Sequence, residues 1–394
     1  MPVFFRRSRA EEQVASASLP PLKTPPRRLC LLRLSAVGDV SHMLPVVRTL
    51  QAQGPETAIT WIIGKLEHTL VSDIPGIEFI VFDKKRGWRA YLDLQRALGG
   101  RRFDVLLHMQ VALRASLASL LIRADTKIGF DAARAKDLQW LFTNARISSP
   151  PRQHVVDSFF GFVQALGIKQ RLLRWDIPIP PEAAQFAAQL LPGPDPVLVI
   201  SPCSSKIYRN WNVAGYAQVA DYAIERHGMR VVLTGGPDPV ERRYGEEITA
   251  AMRHPALNLI GRTNLKQLLA LLVRARAVVA PDSGPAHLAT SVGVPVVGLY
   301  ATTNPDRARP YLSADYVVNR YPEAVRDRYG KNLEDLPWGI RVRDPGTMDR
   351  ITVDDVTALL DRLLSRHRAT PTGGHSGCDS GDTLAISAPL QRHQ

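Results

Sequence analysis

The chain has 394 residues, 45% hydrophobic and 22% charged, with 50 Lys and Arg against 37 Asp and Glu for a formal charge of +13. This balance excludes a disordered chain and predicts a soluble globular protein, too long for one ordinary core and suited to two domains. No apolar run reaches bilayer length, and no apolar signal core follows the basic N-terminus, so neither a membrane span nor secretion is expected.

Cys30, Cys203 and Cys378 are far apart and odd in number. They exclude a disulfide framework and a cysteine-clustered zinc site, and they fit a reducing compartment. Residues 1–28 carry a charge of +4 and residues 365–394 carry +1, which leaves +8 on the middle of the chain. A body this basic attracts phosphates, nucleic acid or an anionic membrane surface, although scattered arginines also serve solubility. Nucleic acid is not expected as a partner: there is no zinc-finger spacing, no aromatic RNA-binding motif and no sustained basic helix.

In chain order, the first strand is Leu29-Cys30-Leu31-Leu32-Arg33-Leu34, followed by predicted strands at 58–63, 77–82, 103–108 and 127–130. Amphipathic helices are expected near 40–53, 88–99, 113–123 and 131–143, then near 154–166 and 183–191. Short β-rich runs alternating with helices predict βαβ units and a mainly parallel sheet. Pro192-Gly193-Pro194-Asp195-Pro196 breaks the chain, because proline lacks an amide donor and cannot continue a helix. The pattern then restarts, with strands at 197–200, 230–233, 257–260, 277–280 and 294–299 and helices at 213–226, 239–252, 264–275 and 285–292. Unbroken apolar runs such as Val278-Val279-Ala280 suit strands buried on both faces. A last helix is expected over 353–366, and the Gly/Ser/Thr-rich end is read as disordered.

Parallel sheets bind ligands at the carboxyl ends of their strands, so chemistry is sought in the loops that follow them. After the first strand comes Ser35-Ala36-Val37-Gly38-Asp39-Val40-Ser41-His42. Asp39 lies at a helix N-terminus, where it is either a structural cap or a general base at a cleft mouth. After a later strand comes Pro281-Asp282-Ser283-Gly284-Pro285-Ala286-His287. Asp282 or Ser283 can cap a helix there, and its free amides suit a diphosphate. His287, one turn in, is either a packing residue or a phosphate contact. The loop over 201–211 offers Ser204, Ser205, Lys206 and Arg209, which suit an anionic leaving group or form an ordinary polar loop. In Thr234-Gly235-Gly236-Pro237-Asp238-Pro239-Val240-Glu241, Glu241 either accepts from ribose hydroxyls or complements a helix dipole. The chain has no dinucleotide fingerprint, P-loop, H-E-x-x-H, G-x-S-x-G or D-x-D. Neither a metal nor another cofactor is therefore expected, and a Rossmann oxidoreductase is disfavoured.

Two runs taken together, Leu31-Leu32-Arg33-Leu34-Ser35-Ala36-Val37-Gly38-Asp39-Val40-Ser41-His42-Met43-Leu44-Pro45 and Pro281-Asp282-Ser283-Gly284-Pro285-Ala286-His287-Leu288-Ala289, resemble glycosyltransferase family 9, the ADP-heptose:lipopolysaccharide heptosyltransferases. Val296-Val297-Gly298-Leu299-Tyr300 with Thr302-Thr303-Asn304-Pro305 is similar to the family's next strand and loop, and the resemblance covers about residues 29–365. It implies an α/β GT-B fold, two Rossmann-like domains with parallel sheets facing a cleft. The implied division is a disordered basic tail 1–28, an acceptor domain 29–190, a nucleotide-sugar domain 191–352, a helix 353–366 crossing back to the first domain, and a disordered tail 367–394.

The resemblance further implies an inverting, metal-independent transfer of heptose from ADP-heptose to the lipopolysaccharide inner core, on lipid A-Kdo or a heptosyl acceptor. Asp39 becomes the base. Asp282, the amides of Ser283 and Gly284, His287, Ser204, Ser205 and Glu241 surround the donor, with Lys206 or Arg209 on its diphosphate. Gly38, His42, Lys65, Arg114, Arg123, Arg134 and Arg146 fall where the family meets its anionic lipid-linked acceptor. The expected location is cytoplasmic, peripheral on the inner face of the inner membrane. The alternatives are a member using another nucleotide-sugar or surface-glycan acceptor, and a non-catalytic sugar-nucleotide-binding protein. The stretch 320–350, with Arg320, Arg326, Arg328, Arg341 and Arg343, matches no motif and reads as a surface insertion or as a basic lip for an acidic acceptor.

Overall fold

The structure is a computed structural model that describes residues 25–368 except 133, 149 and 151. Its first half runs β1 (Arg28–Leu32), α1 (Val37–Gln53), β2 (Ala58–Gly64), α2 (Lys65–Val71), β3 (Ile77–Phe82), α3 (Arg89–Leu98), β4 (Arg102–His108), α4 (Leu113–Leu120), β5 (Arg123–Gly129) and β6 (Ala145–Arg146). Helices α5 (Val155–Ala165) and α6 (Pro181–Leu190) follow. The second half runs β7 (Val197–Ile200), α7 (Val213–His227), β8 (Arg230–Leu233), α8 (Pro239–Ala251), β9 (Leu257–Asn258), α9 (Leu265–Val273), β10 (Ala277–Pro281), α10 (Gly284–Ser291), β11 (Val296–Tyr300), α11 (Pro305–Ala308), β12 (Val317–Asn319), α12 (Tyr321–Tyr329) and α13 (Val353–Arg368).

Each half builds one six-stranded sheet, in the orders β3-β2-β1-β4-β5-β6 and β12-β11-β10-β7-β8-β9. All pairings within the two sheets are parallel. Strands such as Ala277–Pro281 and Val296–Tyr300 are buried along their whole length, as sheets covered by helices on both faces require. The strand order reverses between β1 and β4 and again between β7 and β10. Loops leaving such neighbours diverge and open a crevice at the carboxyl ends of the strands.

The halves meet through α1 and α10, which pack on each other. Helix α1 is buried from Gly38 through Leu50 except at Asp39, since it lies between its own sheet, α5 and α10. A helix covered on all sides has no solvent stripe to show. One apolar cluster joins Val40, Met43 and Leu44 of α1 to Ala286 and Ala289 of α10. Complete burial of a Leu or Val side chain stabilises by roughly 1.5–3 kcal/mol, so this seam fixes the two sheets relative to each other.

Several expectations are corrected. No regular α-helix covers 131–143; the segment holds a 3₁₀ turn at Gln139–Phe142 and ends in β6. Buried Gln139 uses its side chain to accept from the Phe130 amide and to donate to the carbonyls of His108 and Gln110. Asp137 and Leu138 sit at φ of 50° and 58°, which a right-handed helix excludes. Strand β5 starts at Arg123, four residues before the expected start, because polar Asp125 and Lys127 occupy an otherwise regular strand. Helices α2 and α12 and strand β12 were not anticipated.

Helix α13 does not cross to the first half. Val356, Leu360, Leu363 and Leu364 are part of the second core, and Asp361 accepts from Tyr222 at 2.8 Å and pairs with His227 at 2.7 Å. Its apolar face is thereby spent on its own domain. In the opposite sense, α6 of the first segment packs on α9 of the second half. The tails expected to be disordered lie outside the described residues, except that 25–28 lead into β1 and 367–368 close α13.

Candidate active site

At the first reversal point, the end of β1 is pinned to the end of β4. Gln110 accepts from the Leu34 amide at 2.6 Å and donates to Ser35 Oγ at 3.2 Å. Buried Arg33 donates to the Met109 carbonyl at 2.5 Å and forms an ion pair with Asp39. These contacts hold the loop so that Asp39 sits in the first turn of α1, its side chain 36% exposed. Asp39 also accepts from the Ala36 amide at 3.4 Å. The capping reading is thus met, and the side chain keeps about a third of its surface open.

At the second reversal point, the loops after β7 and β10 are tied together. Arg209 donates to the Asp282 carbonyl at 3.0 Å and its Nη1 lies 3.1 Å from the Asp282 carboxylate. Burial by itself would raise the pKa of Asp282, but His287, the Arg209 charge and the Thr303 hydroxyl outweigh it and hold the group below its usual value. His287 Nε2 lies 3.7 Å from Asp282. Ser283 Oγ and His287 Nδ1 are buried and have no hydrogen-bond partner among the described residues. Orphaned buried polar atoms are costly, and these two stand at the N-terminus of α10, where amides and the helix dipole favour an anion.

The two loops face each other. A Cβ placed on Gly38 would lie 2.7 Å from His287 Cδ2 and 3.6 Å from Gly284 Cα. The His42 and His287 rings are 4.2 Å apart, and His154 stands 5.8 Å from His42. His154 accepts from the Val156 amide at 3.1 Å and meets the Arg309 carbonyl at 2.9 Å, so it links the halves while capping α5. Burial pushes its pKa down to about 3 and pushes His42 well below the ordinary value.

Other expected donor residues are placed unevenly. The Ser204 amide donates to Asn210 at 2.8 Å, whereas Ser205 and Lys206 are exposed. Arg209, not Lys206, is thus the cation turned against Asp282. Glu241 accepts from the Gly236 amide at 2.6 Å; Asp238, not Glu241, caps α8, accepting from Val240 at 2.8 Å. A Cβ on Gly235 would lie 2.8 Å from Glu241 Oε2 and would displace that carboxylate.

Of the residues expected at the acceptor, Lys65 and Arg114 stand at the carboxyl ends of β2 and β4 and are exposed, Lys65 reaching Asp83 at 3.4 Å. Arg146 ends β6 beside Gly129, also on the crevice side. Arg123 is a correction: it opens β5 opposite Arg102, at the amino edge of the sheet and away from the crevice. Arg134 is a second correction. It is committed to Asp131, to Gln153 at 3.0 Å, to Ser158 at 2.5 Å and to the Ser148 carbonyl at 3.3 Å, so it staples a loop to α5.

Sequence reasoning passed over Arg33, Glu67 and Arg307. A charged residue at the end of the apolar run 29–34 was the available signal for Arg33. Glu67 of α2 is buried, and desolvation raises its pKa against the opposing charges of Lys84 and Arg33, with Asp39 adding to the rise. Arg307 of α11 is pushed down by burial, and the charge that most opposes this is the Asp39 carboxylate. Three carboxylates (Asp39, Glu67 and Asp282), three histidines and three arginines thus converge on one seam, an arrangement able to activate a hydroxyl on one wall and hold an anion on the other.

Comparison with known proteins agrees with this geometry. The profile of Glycosyltransferase family 9 (heptosyltransferase) matches residues 91–334. The chain is 44% identical over 338 residues to the Lipopolysaccharide core heptosyltransferase OpsX of Haemophilus influenzae, covering 86% of this chain and 97% of that protein. It is 23% identical to a Lipopolysaccharide heptosyltransferase 3 of Escherichia coli, over 83% and 96% of the two chains. Among solved structures, a family 9 glycosyl transferase from Veillonella parvula superposes with a TM-score of 0.70 at 22% identity, over 86% and 97% of the chains. The ADP-heptose LPS heptosyltransferase II of E. coli gives a TM-score of 0.65 at 22% identity, over 87% and 100%. The fold is therefore GT-B, and the chain belongs to glycosyltransferase family 9, the heptosyltransferase family.

Proposed function

We propose that this heptosyltransferase moves heptose from ADP-heptose to the lipopolysaccharide inner core, on lipid A-Kdo or a heptosyl acceptor, in one inverting, metal-independent displacement. The observation that carries the reading is the contact of the Gly38–Asp39 turn with the Ser283–His287 turn across the seam between the two sheets. Asp39 takes the proton of the acceptor hydroxyl. The acceptor oxygen bonds to the anomeric carbon as that carbon's bond to the ADP oxygen breaks, and ADP leaves with the electron pair. The departing charge is met by the amides of Ser283 and Gly284, by the unpartnered Ser283 hydroxyl and His287 Nδ1, and by Arg209. Glu241 holds the Gly235-Gly236 turn with one oxygen and offers its other to the donor nucleoside.

The enzyme works on the inner membrane surface in this reading. No described helix is long and apolar enough to cross a membrane. Helix α4 instead presents Leu113, Leu117 and Leu120, and the turn packed on it presents Leu138, Trp140 and Leu141, all between 41% and 62% exposed. Arg114 and Lys136 flank this apolar face and are exposed or partly so. Apolar side chains framed by cations suit an anionic lipid surface, and the face lies on the half that carries the acceptor residues.

The test is direct assay of the full chain with ADP-heptose and lipid A-Kdo. Heptosylated lipid and ADP should form in equal amounts, with the new linkage of opposite anomeric configuration and with EDTA without effect. Turnover of a different nucleotide-sugar in preference, or activity lost to EDTA and restored by magnesium, contradicts the proposal.

A further inference from the structure

The basic stretch that matched no motif has a fixed place in the fold. Tyr321, Ala324, Val325 and Val342 form a small core of their own. The Tyr321 hydroxyl donates to the Ile340 carbonyl and the Tyr329 hydroxyl to the Arg341 carbonyl, each at 2.9 Å. Arg341 pairs antiparallel with Thr303, and the Val342 amide donates to the Thr302 carbonyl at 3.0 Å. The backbone of Arg341 is thus fastened just beyond the carboxyl end of β11, within the crevice region rather than on a remote surface.

Arg341 lines one small cavity with Arg307, Asp282, Thr303 and Asn304. The cavity holds about 10 Å³ of free space, room for roughly one water. The other two crevice arginines are matched: Arg33 has Asp39 and Arg209 has Asp282. Among the described residues no carboxylate forms an ion pair with Arg307 or Arg341. Asp282, in the same wall, is already engaged by Arg209. Two neighbouring guanidiniums repel in a half-closed site, and their planar forks are shaped for oxyanions.

The donor diphosphate already has the α10 N-terminus and Arg209. Two carboxylate charges act on Arg307, that of Asp39 on the first half ahead of that of Asp282 on the second. We propose that Arg307 and Arg341 form a second oxyanion site, which grips a phosphate or carboxylate of the incoming acceptor while its hydroxyl lies at Asp39. This inference rests on the transfer reaction proposed above. It makes the second half a reader of the acceptor as well as the holder of the donor.

The experiment compares Arg307→Gln, Arg341→Gln, the double variant and Arg307→Lys. Each Gln variant should raise the KM for lipid A-Kdo tenfold or more and leave the ADP Kd within twofold, and Arg307→Lys should recover part of the loss. A tenfold loss of ADP affinity with an unchanged acceptor KM assigns the pair to the donor and overturns the proposal; no change in either removes the site. Calorimetry with inorganic phosphate on the ADP-saturated protein supplies an arm independent of turnover. Millimolar phosphate binding, lost in the double variant, is expected, and equal binding by both proteins overturns the site. If no heptosyl transfer is found at all, the functional reading fails and this arm still decides the pair. Should Arg307→Gln fail to fold, Arg341→Gln carries the same test.

Discussion

Gly38 and His287, from opposite halves of the chain, touch so closely that residue 38 has no room for a methyl group. A Cβ there would stand 2.7 Å from His287 Cδ2, and the His287 ring is already packed against His42 of the same helix as Gly38, with ring centres 4.2 Å apart. Alanine is the better helix former by about 1 kcal/mol, yet overpacking costs about 1–3 kcal/mol. Gly38→Ala should therefore lower the melting temperature and reduce transfer by widening the gap between base and leaving group. A variant of unchanged stability and rate would show that the seam is looser than described.

Arg209 and Lys206 differ in where they point. Hydrogen bonds to charged groups are worth about 1.5–3 kcal/mol, roughly ten- to a hundredfold in binding. Arg209→Gln should weaken ADP by that factor, and exposed Lys206→Gln should leave it within twofold. Titration calorimetry separates them; the reverse ranking would move the diphosphate to the outer rim of the loop.

Buried histidines set the acid limit of stability. Burial lowers His154 to about 3 and His108 to about 4, and lowers His42 as well, from an ordinary value of 6.5. Below pH 6.5 the unfolded chain binds protons that the native state refuses, so stability is complete above 6.5 and is lost as pH falls toward 4. At pH 5 His154 and His108 each cost about 2 kcal/mol. His154→Asn keeps an N-cap side chain and removes one titrating group, so its stability should fall with about one proton less slope. An unchanged slope would clear His154 of the role.

The fold was legible where apolar runs were strong. Strands 197–200 and 230–233 are found at the expected residues, because burial on both faces writes itself as runs of Val, Ile and Leu; strand 77–82 is found too, although it is half-exposed and carries Glu78. It was illegible where side chains replace the main chain, as Gln139 does in the segment read as a helix. The loops bearing Asp39 and Asp282 were identified by their position after strands. Arg307 and Glu67 were not, since their importance comes from charges brought in by distant segments. Arg123 failed for a related reason: being basic and in the first half says nothing about which end of a strand a residue occupies.

The apolar face of α4 and the adjoining turn predicts membrane contact. Leu117→Glu combined with Trp140→Glu should cut sedimentation with phosphatidylglycerol vesicles at least fivefold and leave transfer to a detergent-dispersed acceptor intact. Equal sedimentation of both proteins would place the lipid contact elsewhere.

The most direct measurement is Asp39→Asn assayed for both transfer and ADP binding. Removing a general base costs about 10²–10⁴ in rate, and the proposed ADP site is on the other half. The account predicts transfer lost to that extent with the ADP Kd within twofold of the parent. Turnover near the parent's rate would contradict it and leave the acceptor hydroxyl without its base.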